Sequence, residues 1–485
     1  MNLRAKGISG MVWSFLIQAG FQVVNFATSI ILARILLPEE FGLIGLVTIF
    51  IVIGRVLVEG GLSTSLIRTK EPDQNDYSTV FFMNLAGAFI IYLVMFLLAP
   101  LIAQYFNQPS LVLLVRVLCL IFIINALSTV QSTRLNKNLQ FRTQFKLLFP
   151  SLVISSSIGI WMAYNGYGVW SLVWKDLAFA AIATTQLWLY SKWKPAWVFN
   201  WEIFRYHFSF GYKLTITGIT TAIFGSIYKF IIGRYFSVAE LGFFTRAKSM
   251  EELPTSSLVA AFNRVAFPLL SQVNDDNERL KSVYKRLMIQ VVFWIAPVLI
   301  IAGVLATPLF RFLLTEKWLP AVPYFQILLL AGLFFPMHQY NLNICNVKGR
   351  SDMVLKISLI QILLTIVGVL VAVRLGVFGL LWSIVIINFV TAILSGFLSG
   401  RLINYTLIEQ FKDIAPAIII GCLAGAFVFL VDSFLFMDSP DLIRLLFPAM
   451  GGAIIYLGVS YLYKSPAILE AQAVLKSKFQ TTPDK

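Results

Sequence analysis

Charged residues are scarce in this sequence: they make up 13% of 485 residues, whereas soluble domains contain about 25%. Hydrophobic residues make up 58%, and the mean hydropathy is +0.82. Apolar runs of about 20 residues recur along the chain, which is the length at which a helix crosses about 30 Å of hydrocarbon. The short segments of alternating polarity that are typical of membrane barrels are missing. The sequence therefore predicts an all-α polytopic membrane protein.

Residues that usually hold metals or nucleotides are also few. The only histidines, His207 and His338, are far apart and have no metal-ligand spacing around them. The three cysteines form no CxxC pair, and no GxxxxGK[ST] run is present. We therefore expect no metal, no cofactor, no catalytic residue and no intrinsic ATP-driven pump.

Hydropathy predicts thirteen membrane spans and one long charged gap. The gap contains the stretch 239–270, whose charges argue against a span by hydropathy alone. If this stretch also crosses, most loop Lys and Arg residues fall on one side, as the positive-inside rule requires. The thirteen apolar segments lie near 11–33, 41–61, 80–102, 110–131, 146–164, 168–190, 208–234, 287–310, 322–345, 354–373, 376–400, 414–431 and 442–463.

With the charged stretch counted, we predict about fourteen transmembrane helices and both termini in the cytoplasm. The net charge of +15 is then mostly a bias of the cytoplasmic loops. Such loops face the anionic headgroups of membrane lipids, so nucleic acid is not an expected partner.

The two halves of the chain resemble one another. The stretch IILARILLPEEFGL recurs 200 residues later as FIIGRYFSVAELGF, which aligns Glu40 with Glu240 and Gly42 with Gly242. The stretch GVWSLVW recurs 208 residues later as GVFGLLW. Two parallel repeats of six helices are a pattern typical of alternating-access transporters. The predicted divisions are a first lobe 1–200, a second lobe 201–405, two appended helices within 406–463 and a cytoplasmic tail 464–485.

Charges inside the predicted spans indicate what the protein binds. Each costs about 2.5–3.5 kcal/mol at the bilayer centre, so most must face protein or water. Arg55 and Glu59 lie at i and i+4 and are predicted to form a structural pair. Even if every acid were paired, four cations would remain, which favours an anionic ligand. The cations are Arg55, Arg116, Lys175, Lys213, Lys229, Arg246, Lys248 and Arg264, and the acids are Glu59, Asp176, Glu251 and Glu252.

The charged stretch 239–270 carries the strongest candidates. Arg246 and Lys248 lie in its outer half, and Glu251 and Glu252 lie near mid-depth. Pro254 removes a backbone hydrogen bond and is predicted to bend the helix. A bent, charged helix is expected to face a wet interior.

Lys175 and Asp176 are adjacent, about 100° apart on a helix, so we predict that they do not pair and that Lys175 can meet a ligand. The candidate ligand-binding cations are Arg246, Lys248, Arg116, Lys175 and Lys229. The acids Glu59, Asp176, Glu251 and Glu252 are candidates either for binding H⁺ or Na⁺ or for pairing with cations.

Three motifs carry a family resemblance: LARILLPEEFG, GFFTRAKSMEELP and NICNVKGRSD. With them the whole chain resembles the polysaccharide-transporter (Wzx-type flippase) branch of the multidrug/oligosaccharidyl-lipid/polysaccharide exporter superfamily. The resemblance implies a V-shaped, two-lobed bundle in the bacterial inner membrane. It also implies a flippase for undecaprenyl-diphosphate-linked oligosaccharides, which serve lipopolysaccharide, capsule or exopolysaccharide synthesis. A polymerase and chain-length machinery are the implied protein partners. A diphosphate fits surplus Arg and Lys residues.

Two other functions are alternatives to the flippase. The first is a cation-coupled multidrug antiporter of the MATE type, which commonly holds an acidic residue in its first helix. The first predicted span here, MVWSFLIQAGFQVVNFATSIILA, contains no ionisable group. The second is a membrane enzyme of polysaccharide assembly, which should show a sizeable external loop with clustered catalytic groups, whereas the external connections here are short.

Overall fold

All regular structure in the described part of the protein is helical. The structure is a computed structural model that describes residues 3–470 and 472. Side chains are described within this range except at 3–12, 14, 15, 256–258, 260, 261, 264 and 265. The chain divides into two compact units, 1–242 and 243–485.

The first unit consists of nine helices and the start of a tenth. They are α1 (Leu3–Ile35), α2 (Pro38–Glu59), α3 (Leu62–Arg68), α4 (Gln74–Tyr105), α5 (Leu111–Leu118), α6 (Leu120–Lys137), α7 (Phe141–Tyr164), α8 (Trp170–Tyr190), α9 (Trp201–Tyr235) and α10 (Val238–Gln272). Within this unit α7 packs between α1 and α8, α6 packs on α4 and α8, and α9 packs on α2.

The second unit contains the remainder of α10 and seven further α-helices. They are α11 (Asn277–Val304), α12 (Ala306–Leu314), α13 (Val322–Val347), α14 (Ser351–Ala372), α15 (Gly376–Ile403), α16 (Leu407–Leu435) and α17 (Asp441–Leu462). Two 3₁₀ helices, Glu316–Ala321 and Val373–Leu375, complete it. Here α13 packs on α11 and α15, and α16 packs on α11 and α17.

The helix positions confirm the predicted all-α membrane architecture. Eleven segments of the described chain are long and apolar enough to cross a membrane, and one of them, Ser351–Ile403, contains both α14 and α15. Helices α8 and α10 are not among them, although α10 has 35 residues and is about 50 Å long at 1.5 Å per residue. A count of fourteen crossings is compatible with this arrangement and stays a prediction.

The predicted spans 110–131 and 287–310 are each interrupted in the structure, and a short helix follows the predicted span 41–61. Gly60 and Gly61 take φ values of +49° and +66° and separate α2 from the unpredicted helix α3. These left-handed conformations suit glycine because it has no Cβ. Another break separates α11 from α12 at Leu305. Proline has no N–H group, so Pro308 cannot donate to the Val304 carbonyl, and a continuous helix would lose this backbone hydrogen bond.

The sequence repeat marks two helix starts of the same design. Before α2, the Glu40 carboxylate accepts the Leu37 N–H at 2.7 Å. Before α10, the Glu240 carboxylate accepts the Ser237 N–H at 3.1 Å, and the Ser237 hydroxyl accepts the Glu240 N–H at 3.1 Å. These are capping arrangements, which satisfy backbone donors at a helix start. The aligned glutamates therefore perform the same local task in both repeats.

The aligned glycines of the repeat are also equivalent in their packing. A Cβ on Gly42 would lie 2.0 Å from the carbonyl oxygen of Val238, and a Cβ on Gly242 would lie 1.9 Å from that of Pro38. The first residue of α10 is thus in close contact with Gly42 of α2, and the first residue of α2 is in close contact with Gly242 of α10. The lobe boundaries 1–200 and 201–405 stay a prediction. Most of the predicted tail 464–485 lies outside the described residues.

Candidate functional site

A charged group on α10 brings three of the predicted residues together. The Lys248 ammonium lies 2.7 Å from a Glu251 carboxylate oxygen and 3.8 Å from a Glu252 oxygen. The Thr255 hydroxyl donates to the other Glu251 oxygen at 3.0 Å. We call Lys248, Glu251, Glu252 and Thr255 the α10 charge group. It joins groups at i, i+3, i+4 and i+7 on one helical face.

The members of the α10 charge group differ in their exposure. The Glu251 side chain is 4% exposed, whereas those of Lys248 and Glu252 are 34% and 57% exposed. Helix α13 approaches closely here, because a Cβ on Gly332 would lie 2.7 Å from Thr255 Cγ2 and 3.0 Å from Glu251 Oε1. The group therefore contains a buried carboxylate, Glu251, which lies between Lys248, Thr255 and helix α13, and a more accessible cation, Lys248.

Arg246 lies on the same helix but makes different contacts. It is 4% exposed, and its guanidinium carbon is 6.0 Å from the centroid of the Trp318 ring. This geometry is that of a cation–π contact. Trp318 belongs to the 3₁₀ helix Glu316–Ala321 and is fully buried. Of the two candidate ligand-binding cations on this helix, Arg246 and Lys248, Lys248 is thus the one with substantial exposed surface.

The prediction that Lys175 and Asp176 do not pair is wrong. The Lys175 ammonium lies 3.1 Å from an Asp176 carboxylate oxygen on α8. Although neighbouring residues point about 100° apart, the flexible four-carbon stem of lysine reaches around the helix. That stem also packs against α7, where a Cβ on Gly159 would lie 2.9 Å from Lys175 Cβ. Ligand binding by Lys175 stays a prediction and would require competition with Asp176.

The predicted pair of Arg55 and Glu59 is confirmed. The Arg55 Nε donates to Glu59 at 2.9 Å, and the two side chains are 67% and 52% exposed. An exposed i,i+4 pair of this kind contributes only about 0.3–0.5 kcal/mol. Its main effect is mutual neutralisation of two charges in an otherwise apolar helix.

Two further candidate cations lie elsewhere in the first unit. Arg116 on α5 stacks on the Phe96 ring, 4.2 Å from its centroid, and donates to the Phe96 carbonyl at 3.3 Å. Lys229 is half-buried on α9. The side chain of Arg264 lies outside the described residues. The described contacts thus unite Lys248 with Glu251 and Glu252 and leave Arg116 and Lys175 in separate environments.

Both histidines have structural surroundings. His207 is fully buried, with Nδ1 2.8 Å from the Ser65 hydroxyl and Nε2 3.2 Å from an Asp76 carboxylate oxygen. His338 lies 3.3 Å from the Ser395 hydroxyl. No cluster of three or more His, Cys, Asp or Glu side chains that could hold a metal occurs in the described part of the chain.

Sequence reasoning missed a buried polar network in the second unit. Asn341 on α13 accepts from the Tyr284 hydroxyl at 2.6 Å and from the Ser399 hydroxyl at 2.5 Å, and it donates to Gln410 at 3.2 Å. Asn341 and Gln410 are 0% exposed. The network therefore ties α11, α13, α15 and α16 together through satisfied polar groups.

A family model described as "Polysaccharide biosynthesis protein" matches residues 31–323, which is more than half of the chain. The chain belongs to this polysaccharide biosynthesis protein family. The predicted family resemblance is thereby confirmed; the motifs LARILLPEEFG and GFFTRAKSMEELP lie inside the matched range, and NICNVKGRSD lies beyond it.

Curated relatives of this family member extend over most of its length. It is 23% identical over 425 residues to the teichuronic acid biosynthesis protein TuaB of Bacillus subtilis, covering 87% of this chain and 88% of the relative. It is 22% identical over 400 residues to the lipopolysaccharide biosynthesis protein WzxC of Escherichia coli, covering 82% and 81%. It is 26% identical over 338 residues to the succinoglycan biosynthesis transport protein ExoT of Rhizobium meliloti, covering 69% and 68%.

Solved structures show the same fold at low sequence identity. The lipid II flippase MurJ in an inward closed conformation superposes with a TM-score of 0.75 at 16% identity, over 94% of this chain and 99% of that one. An inward-facing multidrug MATE transporter superposes with a TM-score of 0.54 at 16% identity, over 90% and 95%. The predicted MATE-like class of bundle is therefore confirmed.

Proposed function

We propose that this protein is a flippase for oligosaccharide repeat units linked through a diphosphate to undecaprenyl, acting across the bacterial inner membrane. The products would serve lipopolysaccharide, capsule or exopolysaccharide synthesis. The family match over residues 31–323 carries this proposal. It is supported by relatives named for the biosynthesis of lipopolysaccharide and for the transport of succinoglycan.

The chemistry of the buried charges supports an anionic headgroup. A diphosphate offers several oxygens that accept charge-assisted hydrogen bonds, which are roughly twice as strong as neutral ones. Lys248 is the best placed of the predicted cations, because it combines a position within α10 with an exposed ammonium. Its present partner, Glu251, would be exchanged for the diphosphate during transport. Arg246, Arg116, Lys175 and Lys229 are further candidate ligands along the path.

We propose that transport proceeds by alternating access of the two repeats, with both termini in the cytoplasm. Release of Glu251 from Lys248 would leave a buried carboxylate uncompensated. The Glu251 side chain is 4% exposed, whereas those of Glu59, Asp176 and Glu252 are 52%, 43% and 57% exposed, so Glu251 is the acid we propose for coupling H⁺ or Na⁺ among the four candidates. A polymerase and chain-length machinery would act on the sugar after translocation.

The test is translocation of an undecaprenyl-diphosphate oligosaccharide in proteoliposomes. Lys248→Gln keeps a flexible polar side chain but removes its charge, and should slow translocation about tenfold or more, since hydrogen bonds to charged groups contribute about 1.5–3 kcal/mol. Arg246→Gln tests the buried cation in the same way. Lys356→Gln, at an exposed lysine near the start of α14, is the matched control and should transport normally. Equal rates in all variants would refute the role of the cations.

A further inference from the structure

A polar cavity of about 360 Å³ lies in the first unit, where α6 and α8 end. This volume is within the range of small-ligand sites, about 300–1,000 Å³. The cavity lining contains none of the candidate transport residues Arg246, Lys248, Arg116, Lys175 and Lys229. Its polar and aromatic lining includes Gln131, Arg134, Asn138, Tyr190, Lys192 and Trp193.

Gln131 is the first sign that this cavity holds a ligand. The residue is 2% exposed, and neither its amide nitrogen nor its amide oxygen has a hydrogen-bond partner in the described part of the protein. A buried polar group left unsatisfied costs about 1–3 kcal/mol. Gln131 contributes to the cavity wall, and a turn of its side chain toward the cavity would let a ligand supply both an acceptor and a donor to the amide.

Arg134 is the second sign. Its guanidinium carbon lies 5.3 Å from the Tyr77 ring centroid and 5.7 Å from that of Trp193. The Trp193 indole is fixed in turn by a 2.5 Å hydrogen bond to Gln74. Both of these ring partners are neutral. The cation is thus held by aromatic faces, which attract it without neutralising it.

The remaining lining defines the kind of anion. Lys192 adds a second positive charge, and none of the described residues that line the cavity is acidic. Leu135 and Leu187 provide an apolar wall beside the charged groups. The cavity lies at helix ends beside Tyr190 and Trp193, residue types that are enriched at the boundary between membrane and water. A molecule with an anionic head and an apolar body matches this lining.

We propose that this cavity, which we call the α6–α8 headgroup site, binds the phosphate group of a membrane lipid through Gln131, Arg134 and Lys192. The phosphate oxygens accept from the two cations and from the Gln131 amide N–H, while ester or hydroxyl groups of the lipid meet the leucine wall and the Gln131 carbonyl. Both a bilayer phospholipid and an isoprenyl diphosphate have this chemistry. The site does not depend on the proposed transport function.

Native mass spectrometry of the full-length protein in detergent tests the site with three probes: dioctanoyl phosphatidylglycerol, farnesyl diphosphate and inorganic phosphate. At least one lipid should bind with one-to-one stoichiometry. Gln131→Leu and Lys192→Gln should each weaken its binding about tenfold. Lys194→Gln is the matched control, because Lys194 is exposed on the same segment but is not part of the lining, and it should bind as the wild type does.

The relative affinities of the two lipids identify the source of the headgroup. Tighter binding of phosphatidylglycerol would indicate a bilayer phospholipid, and tighter binding of farnesyl diphosphate would indicate an isoprenoid carrier; both support the site. Equal lipid binding in Lys192→Gln and Lys194→Gln would overturn it, even if Gln131→Leu failed to fold. Inorganic phosphate that binds as tightly as either lipid would overturn the assignment to a lipid.

Discussion

Replacing Gly42 by alanine tests the reciprocal contact between the two helix starts. The new Cβ would lie 2.0 Å from the Val238 carbonyl oxygen, whereas carbon and oxygen in close contact are normally about 3.3 Å apart. The helices must therefore separate by more than about 1 Å. Gly87 on α4 is the matched control, since nothing lies within 4 Å of a Cβ built there.

The two substitutions should change stability in opposite directions. Alanine is favoured over glycine inside a helix by about 1 kcal/mol, and Gly87→Ala should gain up to this amount. At Gly42 the same gain is outweighed by overpacking, which costs about 1–3 kcal/mol and more where backbone must move. We expect a net loss of about 2 kcal/mol for Gly42→Ala.

Thermal unfolding of the purified protein in detergent, followed by tryptophan fluorescence, measures both effects. A loss of about 2 kcal/mol in a unit of this size lowers Tm by about 4–8 °C, and Gly87→Ala should raise it by up to about 4 °C. Gly242→Ala should behave as Gly42→Ala does, because its Cβ would lie 1.9 Å from the Pro38 carbonyl oxygen. If Gly42→Ala were as stable as Gly87→Ala, the argument from the close approach would be refuted.

Three further predictions concern polar groups within the helices. Asn341→Leu should lower the unfolding free energy by about 2–4 kcal/mol, since it leaves the Tyr284 and Ser399 hydroxyls and Gln410 without this partner; a chemical-denaturation midpoint unchanged from wild type would contradict it. Arg444→Met should cost about 3 kcal/mol, because it strands Asp432, which the guanidinium holds by two bonds of 2.8 and 2.7 Å; the double variant that also replaces Asp432 by leucine should recover much of the loss. Glu59→Gln should change the unfolding free energy by less than about 0.5 kcal/mol, because its ion pair with Arg55 is exposed; a larger change, measured as a shift in Tm, would contradict the argument that the pair contributes little.

The fold could be predicted from sequence where a motif recurs in both halves of the chain, or where loop Lys and Arg residues fall on one side of the membrane. Hydropathy alone rejects α10, yet the loop charges and the alignment of Gly42 with Gly242 both required a helix there, and the structure has one over Val238–Gln272. Helix α3 was not predicted, because its seven residues are too few for a membrane span and the predicted span 41–61 ends where the chain turns, at Gly60 and Gly61. Their left-handed φ values depend on the backbone and not on hydropathy.

The candidate site was less accessible, because side-chain partners depend on reach and on tertiary packing. The Lys175–Asp176 pair was missed by a rule about helix faces that ignores the length of lysine. The Asn341 network joins residues 57 to 69 positions apart, and an asparagine in an apolar run carries no local sign of its partners. Charge counting did place Lys248 and Glu251 on one helix, which is the part of the site that depends on local spacing alone.

The most direct test of the proposed function compares two transport assays on one preparation of the purified protein. The wild-type protein is reconstituted once with a labelled undecaprenyl-diphosphate oligosaccharide, and once with a fluorescent cationic drug under an imposed H⁺ or Na⁺ gradient. Headgroup exposure on the opposite leaflet is read by an impermeant modifying enzyme. The account predicts translocation of the lipid-linked sugar and no gradient-driven movement of the drug. Drug efflux without translocation of any member of a panel of lipid-linked sugars would contradict it.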